Sequence, residues 1–346
     1  MIKPEMTGPE MTGPEMDGPS DFAVAARTDF TEIPVIDISA LADPDRFDET
    51  AHHLVSVARD IGFFYLTHHG IPAALCEDAF AASREFFGLS DDQKADVSVD
   101  HQQRGWMAQG MATLEGAKTS DAKEVFFWGR DVAPDDPDVL QGRALVAPNQ
   151  WPDRHAPRLK QQLLPYYDAV LDLSRLVLRA LARGLGKQPD FFAPAYVNPL
   201  GRGQLVYYPP QTDTDRDAER FGAAAHSDFG VLTILMQDNA GGLQVLNKAG
   251  IWIEAPPLKD SFVCNIGDLL ERWTNGQLAS TKHRVVNRTR NARFSIPIFC
   301  DPASEAVIDP RDFDELASYE AFAPCEAGQY IQSKNTRNFS HYKKQD

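Results

Sequence analysis

The chain has 346 residues, of which 43% are hydrophobic and 10% aromatic, and its 50 acidic against 34 basic side chains give a net charge of −16. That length and apolar share support a folded protein with a substantial core, and the acidic excess argues against a broad nucleic-acid or anionic-membrane surface. Four scattered cysteines, Cys76, Cys264, Cys300 and Cys325, show no paired spacing, and no membrane-length apolar run or signal-peptide core is present, so the expectation is a soluble cytoplasmic protein with free thiols.

Residues 1–30 begin with three near-copies of EMTGP, a period that fits neither helix nor strand and offers nothing to bury, so they are expected to form a disordered tail. Order is expected from IPVIDISAL onward, as a short strand and a turn. RFDETAHHLVSVARDIG then has helical spacing, with Leu54, Val57, Ala58 and Ile61 on one face. FFYLTHHGIP predicts a buried strand closing in a glycine turn, in which His68 and His69 are read as turn residues, and ALCEDAFAASREFFGLS predicts a helix. His52 and His53 are read as solvated. The longest helix is predicted over 158–185, with Val170, Leu173, Val177 and Leu181 on its dry face and Asp168, Asp172, Arg175, Arg179 and Arg183 on its wet one.

From about residue 203 short apolar runs recur between Gly, Asn and Pro: QLVYYP, VLTILMQ, GLQVL, IWIEA, SFVCNIG, HRVVNR and RFSIPIFC. Their spacing predicts a sandwich or closed barrel, interrupted by the helical GDLLERWTNG. The expected class is α+β with a mainly β core.

At the mouth of one apolar run stands AAAHSDFG. His226 and Asp228 are two apart, and on a strand that spacing puts both on one face. Two such groups fix most of a metal's geometry if a third ligand converges from elsewhere, and His283, at the start of HRVVN, is the best candidate. Two imidazoles and one carboxylate leave open positions on an octahedral ion, the set associated with non-haem Fe(II) oxygenases, whereas a structural zinc site closes with four protein ligands. Ten residues on, Arg293 and Ser295 share a strand face, and a guanidinium beside a hydroxyl suits a carboxylate. Tyr208 in VYYPP is placed to add a phenolic donor.

HSDFGVLTILMQDNAGGLQV, NIGDLLERWTNGQLASTKHRVV and RFSIPIFCDP closely resemble the Fe(II)- and 2-oxoglutarate-dependent oxygenases related to isopenicillin N synthase. IPVIDIS, GFFYLTHHGIP, RGW and KEVFFWG match that family's accessory region, so the resemblance runs from about residue 31 to the end. It implies a distorted double-stranded β-helix (a jelly roll) flanked by helices: an accessory region at 31–185, a catalytic core at 186–302 and a C-terminal extension at 303–346 that could act as a lid. It implies that His226, Asp228 and His283 ligate Fe(II), and that Arg293 and Ser295, with Tyr208, hold the distal carboxylate of the cosubstrate 2-oxoglutarate. Arg104, Trp106, Phe126, Phe299 and Phe339 occupy positions from which relatives line the substrate pocket. Val206 stands where the family often has Asn, which removes one polar contact to the cosubstrate. The implied reaction uses O2 to oxidise a C–H bond of a small molecule, releasing succinate and CO2. An iron oxidase of the same fold that uses no 2-oxoglutarate and a non-catalytic iron or 2-oxoglutarate sensor are the alternatives. No nucleic-acid or membrane partner is expected, and monomer and homodimer stay open.

Overall fold

Two sheets account for most of the strands. The structure, a computed structural model, describes residues 23–26, 33–114, 116–315, 317–318 and 320–342, so the repeats of the expected tail lie outside the described residues. In chain order the strands are β1 (Val35–Asp37), β2 (Phe63–Thr67), β3 (Gly105–Met107), β4 (Glu124–Gly129), β5 (Arg202–Tyr208), β6 (Ala223–His226), β7 (Leu232–Gln237), β8 (Leu243–Leu246), β9 (Trp252–Glu254), β10 (Ser261–Ile266), β11 (His283–Val285) and β12 (Arg293–Cys300). The larger sheet has the order β1-β2-β10-β7-β12-β5-β4-β3 and the smaller β6-β11-β8-β9. Four strands of the N-terminal half thus extend the sheet built by the C-terminal half, and the two halves share one framework. The alternation of consecutive C-terminal strands between the two sheets is the double-stranded β-helix of the expected fold class.

The pleat of the larger sheet sorts its side chains by parity. On one side Phe64, Leu66, Phe126, Trp128, Leu205, Leu232, Ile234, Cys264, Ile266, Ile296, Ile298 and Cys300 join a core with the helices. On the other, Phe63, Tyr65, Val125, Phe127, Val206, Tyr208 and Val263 meet Leu243, Val245 and Val285 of the smaller sheet. The site lies on this second, inner face.

Three helices back the outer face. Pro44–Asp60 starts on Asp43, whose carboxylate accepts the Asp45 N–H at 3.0 Å, with proline at its first position. Ala73–Phe87 follows the HHGIP turn, where Ile71 donates its N–H to His69 Nδ1 at 3.1 Å, as expected of a bonded turn. Leu159–Gly184 buries Val170, Leu173, Val177 and Leu181 as its spacing required, and Asp168, Asp172, Arg175 and Arg179 face solvent.

Residues 23–26 depart from the tail reading. Ala26 donates to Trp252 O at 2.9 Å and accepts from Glu254 at 3.0 Å, while Gln244 Nε2 bonds Ala23 O at 2.8 Å. A four-residue apolar stretch that offers little core finds free backbone groups on the edge of β9, a source of order that composition does not reveal.

The polar C-terminal stretch is also more tightly held than its composition suggests. Ala327–Asn338 is a helix whose Ala327 and Ile331 enter the main core, and Asn335 Nδ2 donates to Gln103 Oε1 at 3.1 Å. No helix among the described residues is long and apolar enough to cross a membrane, and all four cysteines are free.

Candidate metal centre

His226 ends β6, and β6 pairs with β11 so that His226 and His283 are direct cross-strand neighbours. Their ring centroids are 4.3 Å apart. Asp228 is not on a strand, contrary to the simple period-two reading. It sits in the corner where the chain leaves the smaller sheet for β7 of the larger one, and that corner swings its carboxylate toward both rings. Asp228 Oδ1 lies 3.8 Å from His226 Nε2 and 3.6 Å from His283 Nε2. The three residues offer ligand atoms all within 4.8 Å of one another, and they are the sole such His, Cys, Asp and Glu group among the described residues.

The surroundings fix each atom's role. Ala224 O accepts from His226 Nδ1 at 2.7 Å and Thr281 O from His283 Nδ1 at 3.3 Å. A carbonyl only accepts, so each Nδ1 carries a proton and each Nε2 is the nitrogen turned to the centre. Asp228 Oδ2 accepts from Thr233 Oγ1 at 2.6 Å and Asn265 Nδ2 at 2.8 Å, which leaves Oδ1 facing the imidazoles. Burial, and then the neighbouring His283, push the His226 imidazole down to about 3. Burial also opposes ionisation of Asp228, but the two imidazoles and the bonds from Thr233 and Asn265 outweigh it and hold the carboxyl below its ordinary value. A neutral His226 imidazole beside an ionised Asp228 carboxylate suits a divalent cation. The donor set therefore fits Fe(II).

On the inner face of the larger sheet lies Arg293, fully buried. Its Nε donates to Gly241 O at 2.7 Å, Nη1 to Ser295 Oγ at 3.1 Å and, at a long 3.4 Å, Nη2 to Gln237 Oε1. Its guanidinium carbon lies 4.7 Å from the Tyr208 ring centroid, so Tyr208 meets it with a ring face where the sequence pointed to a hydroxyl. No carboxylate among the described residues pairs with Arg293. A buried cation with only neutral acceptors is costly unless an anion completes it, which fits the distal carboxylate of 2-oxoglutarate. The NAGGLQV turn makes this possible. Gly242 has φ +87°, and a Cβ there would lie 2.1 Å from Val286 O, so only glycine brings the turn against β11 with the Gly241 carbonyl aimed at Arg293.

The expected pocket residues divide. Phe299 lies on the inner face opposite Thr233, under the Arg202 guanidinium at 4.9 Å. Phe339 also reaches this side and packs edge-on against Phe127 at 6.2 Å. Phe126 and Trp106 do not. They pair across β3 and β4 and turn to the outer face, Phe126 packing on Phe86 and Trp128, and Trp106 donating to Glu124 Oε2 at 2.9 Å. Arg104 is buried and spends its guanidinium on the carbonyls of Gln102, Gln103 and Leu145. These three side chains turn away from the inner face, and one step along β4 it is Phe127 that turns toward it.

Thr233 and Asn265 escaped notice in the sequence, although each is a lone polar residue inside an apolar strand run, where burial demands a bonding group.

Two family models match, and the second spans His226, Asp228, His283 and Arg293. The "non-haem dioxygenase in morphine synthesis N-terminal" model covers residues 33–154, and the "2OG-Fe(II) oxygenase superfamily" model covers residues 203–302. A 2-oxoglutarate-dependent dioxygenase, caaD, of Aspergillus niger is 34% identical over 81% of this chain and 88% of its own. The homoarginine-6-hydroxylase 2-ODD-C23 of Glycine max is 32% identical over 90% of this chain and 98% of its own. Among solved structures, full-length Neurospora crassa T7H in complex with alpha-KG and thymine superposes with a TM-score of 0.77 at 28% identity, covering 88% of this chain and 96% of its own.

Proposed function

The chain belongs to the 2OG-Fe(II) oxygenase superfamily, and from that membership we propose which of its residues hold the iron, the cosubstrate and the substrate. It is an Fe(II)- and 2-oxoglutarate-dependent oxygenase that oxidises a small molecule. The three ligands are His226 and His283 through Nε2 and Asp228 through Oδ1. Arg293 and Ser295 take the distal carboxylate of 2-oxoglutarate, with Tyr208 shielding the guanidinium from water. Phe127, Phe299 and Phe339 form the substrate wall. The observation that carries this reading is a His–Asp–His group set between the two sheets and, on the inner face of the larger one, a buried guanidinium that no carboxylate among the described residues pairs.

Bound iron supplies the activation of O2, coupled to oxidation of 2-oxoglutarate to succinate and CO2. The protein's residues do the rest. His226, Asp228 and His283 would hold the ion from one side and so leave room on it for small molecules. Thr233 and Asn265 keep Asp228 single-handed toward the centre. Apolar walls exclude water and hold the C–H bond of the substrate in place. Three phenylalanines favour a substrate with an apolar or aromatic skeleton, and the Neurospora structure holds thymine, a small flat molecule. By the same reading residues 186–302 are the catalytic core, 31–185 the accessory region, and 303–346 a C-terminal extension that brings Phe339 to the pocket. The four free thiols favour a reducing, cytoplasmic setting.

The test is anaerobic titration of the Fe(II) protein with 2-oxoglutarate, followed by the visible charge-transfer absorption of the chelate. A saturable band that disappears in Asp228→Ala is expected. Iron bound with no band, or a band unaffected by Asp228→Ala, refutes the assignment.

A further inference from the structure

β6 carries the ligand His226, yet it is an edge strand. Among the described residues it pairs with β11 alone, and the register between them slips by one residue between the His226–His283 and Ala223–Val285 pairs. An edge strand with a bulge is a poor platform for a metal ligand unless its open side is held. We propose that Asp121, paired with Lys123, is a positioning residue for His226, and the inference rests on the iron reading above.

The contacts run in sequence. Asp121 is 1% exposed, and its Oδ1 accepts the Ala224 N–H at 3.0 Å. Ala224 in turn accepts His226 Nδ1 on its carbonyl at 2.7 Å. Asp121 Oδ2 faces Lys123 Nζ at 3.0 Å, and that side chain is 11% exposed. The residue that orients the imidazole is therefore gripped at its N–H by a buried carboxylate and at its C=O by the ligand itself. Asp121 is a rigid grip: its own N–H bonds Ala112 O at 2.9 Å, Ala122 N–H bonds Phe221 O at 2.8 Å, and Arg220 Nη2 donates to Asp121 O at 3.3 Å.

Lys123 completes the device. Its ammonium pairs with the buried carboxylate, so neither charge is left without a partner. Burial works against the Lys123 charge, but Asp121 outweighs it and the lysine lies above its ordinary value. Hydrogen-bonded groups behind a metal ligand set its orientation and basicity, and their loss costs about 10–100-fold in metal affinity.

A control stands on the same stretch of chain. Lys94 and Glu124 form an equally enclosed pair at 2.6 Å, with side chains 4% and 16% exposed, on the outer face and away from the His–Asp–His group. Co(II) titration of the whole protein, read by its ligand-field bands, separates the two roles. Asp121→Ala is expected to weaken Co(II) binding by about 10–100-fold and shift the bands. Asp121→Asn, which keeps an acceptor for Ala224, is expected to recover part of both, and it decides the matter if the alanine variant does not fold. Lys94→Met is expected to leave affinity and spectrum unchanged. Unchanged Co(II) affinity and spectrum in the Asp121 variants, or an equal loss in Lys94→Met, overturns the inference while leaving the iron site standing. Failure of the wild-type protein to bind Co(II) overturns the iron reading itself.

Discussion

Arg293→Met gives the sharpest test of the cosubstrate site. The guanidinium has five N–H donors; one goes to Gly241, one to Ser295 and one, weakly, to Gln237. Two remain for a carboxylate, and charge-assisted bonds contribute about 1.5–3 kcal/mol each. Taking the lower part of that range because Ser295 remains as a donor, the loss is about 3–4 kcal/mol, a rise of roughly 10²–10³-fold in the Kd for 2-oxoglutarate. Methionine fills similar volume, and it removes a fully buried charge that no carboxylate balances. The ligand-free variant is therefore expected to melt within about 1 kcal/mol of the wild type, the relieved charge offsetting the lost bond to Gly241. Anaerobic titration of the Fe(II) protein measures the Kd, and calorimetry of the metal-free protein measures stability. A Kd within about threefold of wild type would falsify the assignment, and a large stability loss alongside it would make Arg293 a structural clamp for the Gly241 turn.

Phe127→Ala is expected to impair substrate turnover with little change in 2-oxoglutarate affinity, whereas Phe126→Ala, packed on the outer face, is expected to cost about 3–5 kcal/mol of stability; thermal melts and cosubstrate titrations of the pair tell the faces apart. Gly242→Ala places a Cβ 2.1 Å from Val286 O at a positive φ, so it is expected to lower the melting temperature and weaken 2-oxoglutarate binding together; a normal melt with normal binding would show that the turn relaxes freely. Because folded His226 sits at about 3 against an ordinary 6.5, the unfolded state binds the extra proton between those values. Stability of the metal-free protein is then full above the unfolded value and is lost as pH falls through that window, by roughly 1–2 kcal/mol at pH 5. His226→Gln is expected to flatten that part of the pH dependence, and parallel melts at pH 8 and pH 5 check it.

Much of this protein was legible in the sequence. The helical face of Val170, Leu173, Val177 and Leu181, the short strands after residue 203, and the order of His226, Asp228, His283, Arg293 and Ser295 all follow from periodicity and from chemistry that tolerates few substitutes. What the sequence left undecided is which face of a strand looks inward. Phe126 and Phe127 are equally apolar, and period two separates them without naming the inner one; only the pairing of β4 with β5, and of β5 with β12 beside Ser295, settles it. Arg104 likewise reads as a site residue until the fold brings the Leu145 carbonyl to it. Asp228 converges on the histidines through a corner between two sheets, not through strand alternation. Its supporting Asn265 stands 37 residues away and the Asp121 grip on Ala224 spans 103. Hydrogen bonds of that reach leave no local pattern, because the chain between their ends is free to vary so long as the sheets bring the groups together. Residue type and spacing set which groups could meet; the tertiary structure decided which of them do.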